Sequence, residues 1–146
     1  MRVVLDANVV AALIIPLPYS DQVTHRMMDW QNTETGLFAP TLLEYEMVTV
    51  LRKAVVAEMI NADEAADAIM SLLDLNIETV PPTQSLHDSA LRWAEQLNQK
   101  VAYDAQYLAL AEQLGVELWT ADQRLVNGAR QVGATWVHWI GENLDT

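Results

Sequence analysis

The chain contains no cysteine, which removes disulfides, thiol catalysis and every cysteine-ligated zinc or iron–sulfur site. Any metal it binds must be held by oxygen or imidazole. Basic residues are scarce: eight Lys and Arg stand against twenty Asp and Glu, a formal net charge of −12. A phosphate backbone repels such a surface, so the charge counts against nucleic-acid binding and suits divalent cations or a basic protein partner. Long apolar runs are also missing. Val9 to Ile15 follows Arg2 in the manner of a signal peptide, but Asp6 and Asn8 interrupt it and no small-residue cleavage site follows Leu17. The run is well short of the roughly 20 apolar residues that span a membrane. A cytoplasmic protein without membrane contact is the expectation.

Gly/Ser linkers, internal repeats and low-complexity tracts are absent, and the 146 residues, half of them hydrophobic, suffice for one domain with a sizeable core. A single domain over residues 1–146 is expected, with Pro81–Pro82 read as a loop. Apolar periodicity and turn residues predict strands at Arg2–Leu5, Leu37–Ala39, Ile77–Val80, Val116–Thr120 and Thr135–Trp139. Helices are predicted near Asn8–Leu13 and at Asp21–Trp30, Thr41–Val56, Ala62–Leu73, Ser85–Asn98, Asp104–Leu114 and Asp122–Val132. Asn61 followed by Glu64 has the form of a capping box, and Gly115 and Gly133 mark helix ends. Strands separated by helices imply a parallel sheet.

The stretch YDAQYLALAEQLGVELWTAD, Tyr103 to Asp122, carries an aspartate at each end of a helix–strand unit. The helix from Asp104 would rise about 15 Å at 1.5 Å per residue, and the strand would return about 16 Å at 3.3 Å per residue. The two lengths nearly cancel, so Asp104 and Asp122 should finish near each other. In open α/β sheets the binding crevice lies outside the carboxyl ends of the strands, where Asp6, ending RVVLD, and Asp122 both fall. Each aspartate alone reads as a helix N-cap. Gathered at one edge they repel unless a cation or proton sits among them, and hard divalent cations prefer such oxygen-rich sites.

The helix TLLEYEMVTVLRK supplies two further acids. A helical wheel puts Glu46 beside Thr49 and Lys53, and Glu44 among Met47, Val48 and Leu51, which does not decide between them. Glu44 suits the first turn, where the helix dipole favours a carboxylate, whereas Glu46 lies too deep to cap. Glu46 is therefore favoured as the functional acid.

Four segments, VVLDANVV, LEYEMVTVLRK, YDAQYLALAEQLG and LWTADQRL, resemble in this order the motifs of PIN domains, of the kind found in VapC-type toxins of toxin–antitoxin pairs. The resemblance covers nearly the whole chain. It implies an α/β/α sandwich with a mostly parallel central sheet, and a metal-dependent endoribonuclease. Its acidic positions map onto Asp6, Glu46, Asp104 and Asp122, holding one or two Mg²⁺ or Mn²⁺ ions, with Asn8 and Thr120 as accessory polar groups. It also implies an RNA substrate, a homodimer and a cognate antitoxin. The chain departs from what RNA binding asks in its few basic residues, of which Arg52, Lys53, Lys100 and Arg124 lie near the acids in sequence.

Other residue types are read more plainly. Trp30, Trp93, Trp119, Trp136 and Trp139 could stack bases but read first as packing residues, with Trp136 and Trp139 candidates for a dimer surface. His25, His87 and His138 share no spacing with the acids and read as surface or locally bonded histidines. A receiver-like phosphoryl-transfer domain also places acids at strand ends, yet Asn8 stands where its second acid would be, and ATWVHW lacks its lysine. The main alternative is a PIN-like module that binds a protein partner without catalysis.

Overall fold

The computed structural model describes residues 1–142. Five strands, β1 (Arg2–Leu5), β2 (Gly36–Pro40), β3 (Glu78–Val80), β4 (Glu117–Thr120) and β5 (Val137–Trp139), form one sheet in the order β3-β2-β1-β4-β5. Every pairing is parallel. Its centre is β1, whose Val3, Val4 and Leu5 are wholly buried. A continuous apolar strand, buried on both faces, suits the middle of a parallel sheet. Among the described residues the helices are α1 (Ala7–Ile14), α2 (Ser20–Asn32), α3 (Leu42–Val56), α4 (Ala62–Asp74), α5 (Gln84–Gln96), α6 (Tyr103–Leu114) and α7 (Gln123–Gln131). They flank the sheet in an α/β/α arrangement.

From β1 the chain builds outward to β2 and β3 on one side and later fills β4 and β5 on the other. The strand order therefore reverses beside β1, which opens a crevice beyond the carboxyl ends of β1 and β4. The Asp6 N–H extends the ladder by one step, donating to the Trp119 carbonyl at 3.0 Å.

Local signals place the helix ends. Asn61 and Glu64 exchange both bonds of a capping box at the start of α4. Gly115 ends α6 at φ 66°, in the left-handed region that glycine adopts without strain. Most element ends lie one or two residues from the sequence reading, and two of these shifts have a visible cause. The last strand begins at Val137 rather than Thr135, because Gly133 turns at φ 96° and the Ala134, Thr135 and Val137 N–H groups are spent on turn bonds. Helix α5 stops at Gln96, since Asn98 takes the left-handed conformation at φ 53°.

The tryptophans pack. Trp30 meets Trp119 edge to face with ring centroids 5.7 Å apart, and Trp93 meets Trp136 in the same way at 5.7 Å. Arg26 lies over the Trp119 ring and His138 stacks on it. Among the described residues no helix is long and apolar enough to cross a membrane.

Candidate active site

Asp6 ends β1 and caps α1. Its extended backbone aims one carboxylate oxygen, Oδ1, at the Ala7 N–H, which donates at 2.8 Å. The other, Oδ2, accepts from the Thr120 hydroxyl at 2.8 Å. Both residues are buried, Asp6 at 3% exposure and Thr120 at none. Thr120 is the hub of the site. Its oxygen also accepts from the Asn8 side-chain amide at 3.2 Å and from the Asp122 N–H at 3.0 Å. With its one proton spent on Asp6 and both acceptor positions filled, the hydroxyl has a single orientation. Asn8 completes the link by accepting from the Ala121 N–H at 2.9 Å, so the ends of β1 and β4 are tied through side chains.

Glu46 sits one turn inside α3, at the edge of the buried stripe formed by Leu43, Met47 and Leu51. It is half-buried and accepts from the Tyr107 hydroxyl at 2.8 Å. Glu44, on the same helix, is exposed. The choice between the two glutamates follows from that stripe: Glu46 lies beside Met47 and Val50 on the inward side, whereas Glu44 shares the outer face with the exposed Val48.

Asp104 stands in the first turn of α6, and Asp122 caps α7, accepting from the Arg124 and Leu125 N–H groups at 3.0 and 3.2 Å. Asp104 and Asp122, at the two ends of this helix–strand unit, finish close enough that the charge of Asp122 is felt at Asp104.

Charge and burial together perturb the acids. Burial, then the Asp104 charge and more weakly that of Glu46, raises the Asp6 carboxyl from 3.8 to about 7, against the lowering effect of its Thr120 and Ala7 bonds. Glu46 is raised by burial and by Asp104, with Tyr107 opposing. Asp104 is raised by burial and by Asp122, with Gln99 opposing. No Lys, Arg or His figures among the groups acting on these three carboxyls. Burial and the same carboxylates hold the Tyr107 phenol far above its ordinary range, so it stays protonated and can only donate to Glu46.

The arrangement therefore brings Asp6, Glu46, Asp104 and Asp122 into one mutually repelling group, with Asn8 and Thr120 as its scaffold. Among the described residues no three acids or histidines are drawn tightly enough to form a finished coordination set. Oxygen donors separated in this way suit a cation that keeps part of its water shell, as Mg²⁺ does when one or two carboxylates bind it. Tyr107 was not singled out in the sequence. Its place three residues after Asp104, on one helix face, was the available signal.

The family model of the PIN domain matches residues 3–131. The chain belongs to the PIN domain family. Within it this PIN domain is 31% identical over 123 residues to ribonuclease VapC12 of Mycobacterium tuberculosis, covering 84% of the chain and 88% of the relative. It is 30% identical over 128 residues to ribonuclease VapC3 of Pyrobaculum aerophilum, covering 86% and 92%. A toxin–antitoxin complex from Klebsiella pneumoniae contains a chain that superposes with a TM-score of 0.65 at 16% identity, covering 97% of this PIN domain and 99% of that chain. The fold expected from the sequence, and the VapC-type branch of the family, are thus both found.

Proposed function

We propose that the protein is a divalent-metal-dependent endoribonuclease and the toxin of a type II toxin–antitoxin pair. The observation that carries this reading is the convergence of Asp6, Glu46, Asp104 and Asp122, three of them raised by burial and by one another with no basic side chain to offset them. It is supported by relatives that bear the name ribonuclease. Those four residues would hold one or two Mg²⁺ or Mn²⁺ ions. The chemistry such an ion would supply there is a water acidic enough to attack a phosphodiester near neutral pH and compensation of charge on the leaving oxygen.

The chain's own residues have defined tasks. Asp6 must release its proton to bind a cation, and Thr120 and Asn8 hold its carboxylate in place for that. Tyr107 fixes Glu46. Cysteine is absent and the Thr120 hydroxyl is fully buried with its proton committed to Asp6, so neither competes with water. Water is the attacking group.

A cytoplasmic location, RNA as substrate, a second copy of the chain and an antitoxin as partners belong to the same reading. An exposed apolar groove between α3 and α4, lined by Val48, Val55 and Ile69, offers such a protein a surface. The charge of −12 favours one second reading, a binding module that acts only through a protein partner.

Incubating purified protein with a mixed RNA pool in Mg²⁺, Mn²⁺ or chelator, beside Asp6→Asn, separates the two. Cleavage that needs the metal and is lost in the variant supports the ribonuclease. Metal binding by calorimetry without cleavage of any RNA overturns it in favour of the binding module.

A further inference from the structure

Among the described residues only two aromatic side chains are exposed, Tyr45 at 74% and Tyr103 at 57%. They lie far apart in sequence, on α3 and α6, yet both line one cavity of about 250 Å³. Tyr45 immediately precedes Glu46, and Tyr103 immediately precedes Asp104. Leu86 and Leu110 furnish apolar wall. His87 and Gln106, which also line it, are joined side chain to side chain at 3.1 Å and supply donors and acceptors in an otherwise apolar space. The two exposed tyrosines thus share one cavity, each next in sequence to an acid of the site.

The cavity also has a definite place on the sheet. Pro40 and Val80, which end β2 and β3, line it, so it lies on one side of Asp6 along the strand order. On the other side, beyond β4, a polar cavity of about 310 Å³ is lined by Asp122, Arg124 and Gln99. Openings on both flanks of the acids suit an extended polymer crossing the cleft better than a small ligand confined to it. A flat, uncharged, hydrogen-bonding group suits the tyrosine side, whose lining holds no Lys or Arg and adjoins in sequence the acids Glu46 and Asp104.

We propose that the Tyr45–Tyr103 cavity is a subsite for one unstacked nucleobase of single-stranded RNA, adjoining the acidic cleft. The inference rests on the ribonuclease reading and adds to it how an acidic protein grips its substrate: by stacking a base rather than by pairing phosphates. Aromatic faces hold single-stranded bases with little regard to sequence. The His87–Gln106 pair gives this subsite a preference among bases through the edges it presents.

The test uses the full chain in Ca²⁺, with single-stranded oligoribonucleotides carrying one 2-aminopurine at successive positions. Fluorescence quenching should be strong at one position in the wild type. Replacing either tyrosine by alanine should weaken RNA binding about tenfold, the loss of one stacked base, and abolish that quenching. Phenylalanine at either position should keep both within about twofold, because the ring and not the hydroxyl carries the contact. Both side chains are exposed, so the variants should melt with the wild type. If the wild type binds or cuts RNA and the alanine variants do so equally well, the subsite is refuted while the ribonuclease stands. If the alanine variants lose self-association or a protein partner and keep RNA, the cavity is a protein-docking site and the inference falls. If the wild type neither binds nor cuts RNA, both readings fall together.

Discussion

At the scale of single residues, the site depends on one hydroxyl. Thr120 serves Asp6, Asn8 and the Asp122 N–H at once. Thr120→Val keeps the volume but removes one bond from each of these groups, the buried Asp6 carboxylate among them, which should cost about 1–3 kcal/mol. Urea unfolding measures it, and Thr120→Ser, which restores the hydroxyl, should recover most of the loss. Asp6 tests the electrostatics. Its carboxyl titrates from 3.8 to about 7 on folding, so the folded state binds the proton more tightly and metal-free stability should fall as pH rises through that window, then level off. Asp6→Asn retains a capping oxygen and removes the charge. The metal-free variant should therefore be the more stable protein at pH 8, by on the order of 2–4 kcal/mol, with the gap closing toward pH 4. A wild type as stable as the variant at pH 8 would show that burial and the neighbouring acids do not raise the Asp6 carboxyl. Asp6 and Asp122 were legible because one directly follows a strand and the other follows one with a single residue between, both at the crevice edge. Tyr107 was not, since its place one turn after Asp104 tells which helix face it shares but not that its hydroxyl meets Glu46.

At the scale of elements, the sequence was legible where glycine or a capping box spoke and silent where other residues filled the same geometry. Gly115 and Gly133 close α6 and α7 with the bond pattern of a Schellman motif. The same pattern closes α2 at Glu34, α3 at Glu58 and α5 at Asn98, all at positive φ. Nothing in a glutamate announces a left-handed turn, which is why these ends could be placed only approximately. The strain is testable. Glu58, at φ 59°, should gain about 0.5–1 kcal/mol on replacement by glycine, the left-handed cost outweighing glycine's greater freedom in the unfolded chain. Asn76→Gly at φ 56° should gain less, because asparagine tolerates that region better. Thermal unfolding of the two variants gives the comparison directly, and equal or opposite effects would mean that the cap bonds, not the φ angle, govern these ends.

At the scale of the whole molecule, the succession of strands and helices was readable from periodicity, but the strand order was not. Placing β1 between β2 and β4 depends on long-range pairing, and that pairing is what carries Asp6 to the same edge as Asp122. The charge of −12 acts at this scale as well. A protein that neutralises six to ten phosphates loses about 10³–10⁵ in affinity between 50 and 200 mM salt as counterions return to the nucleic acid. This chain has eight Lys and Arg in total and an acidic cleft, so counterion release should contribute little, while added salt screens the repulsion between protein and RNA. The affinity of the metal-free protein for a single-stranded oligoribonucleotide should therefore change by less than about threefold over that range, or rise. Fluorescence anisotropy across a salt series checks it. A steep fall would reveal a basic track strong enough to overcome the net charge, and would move the grip on RNA from the tyrosine cavity to Arg124 and its neighbours.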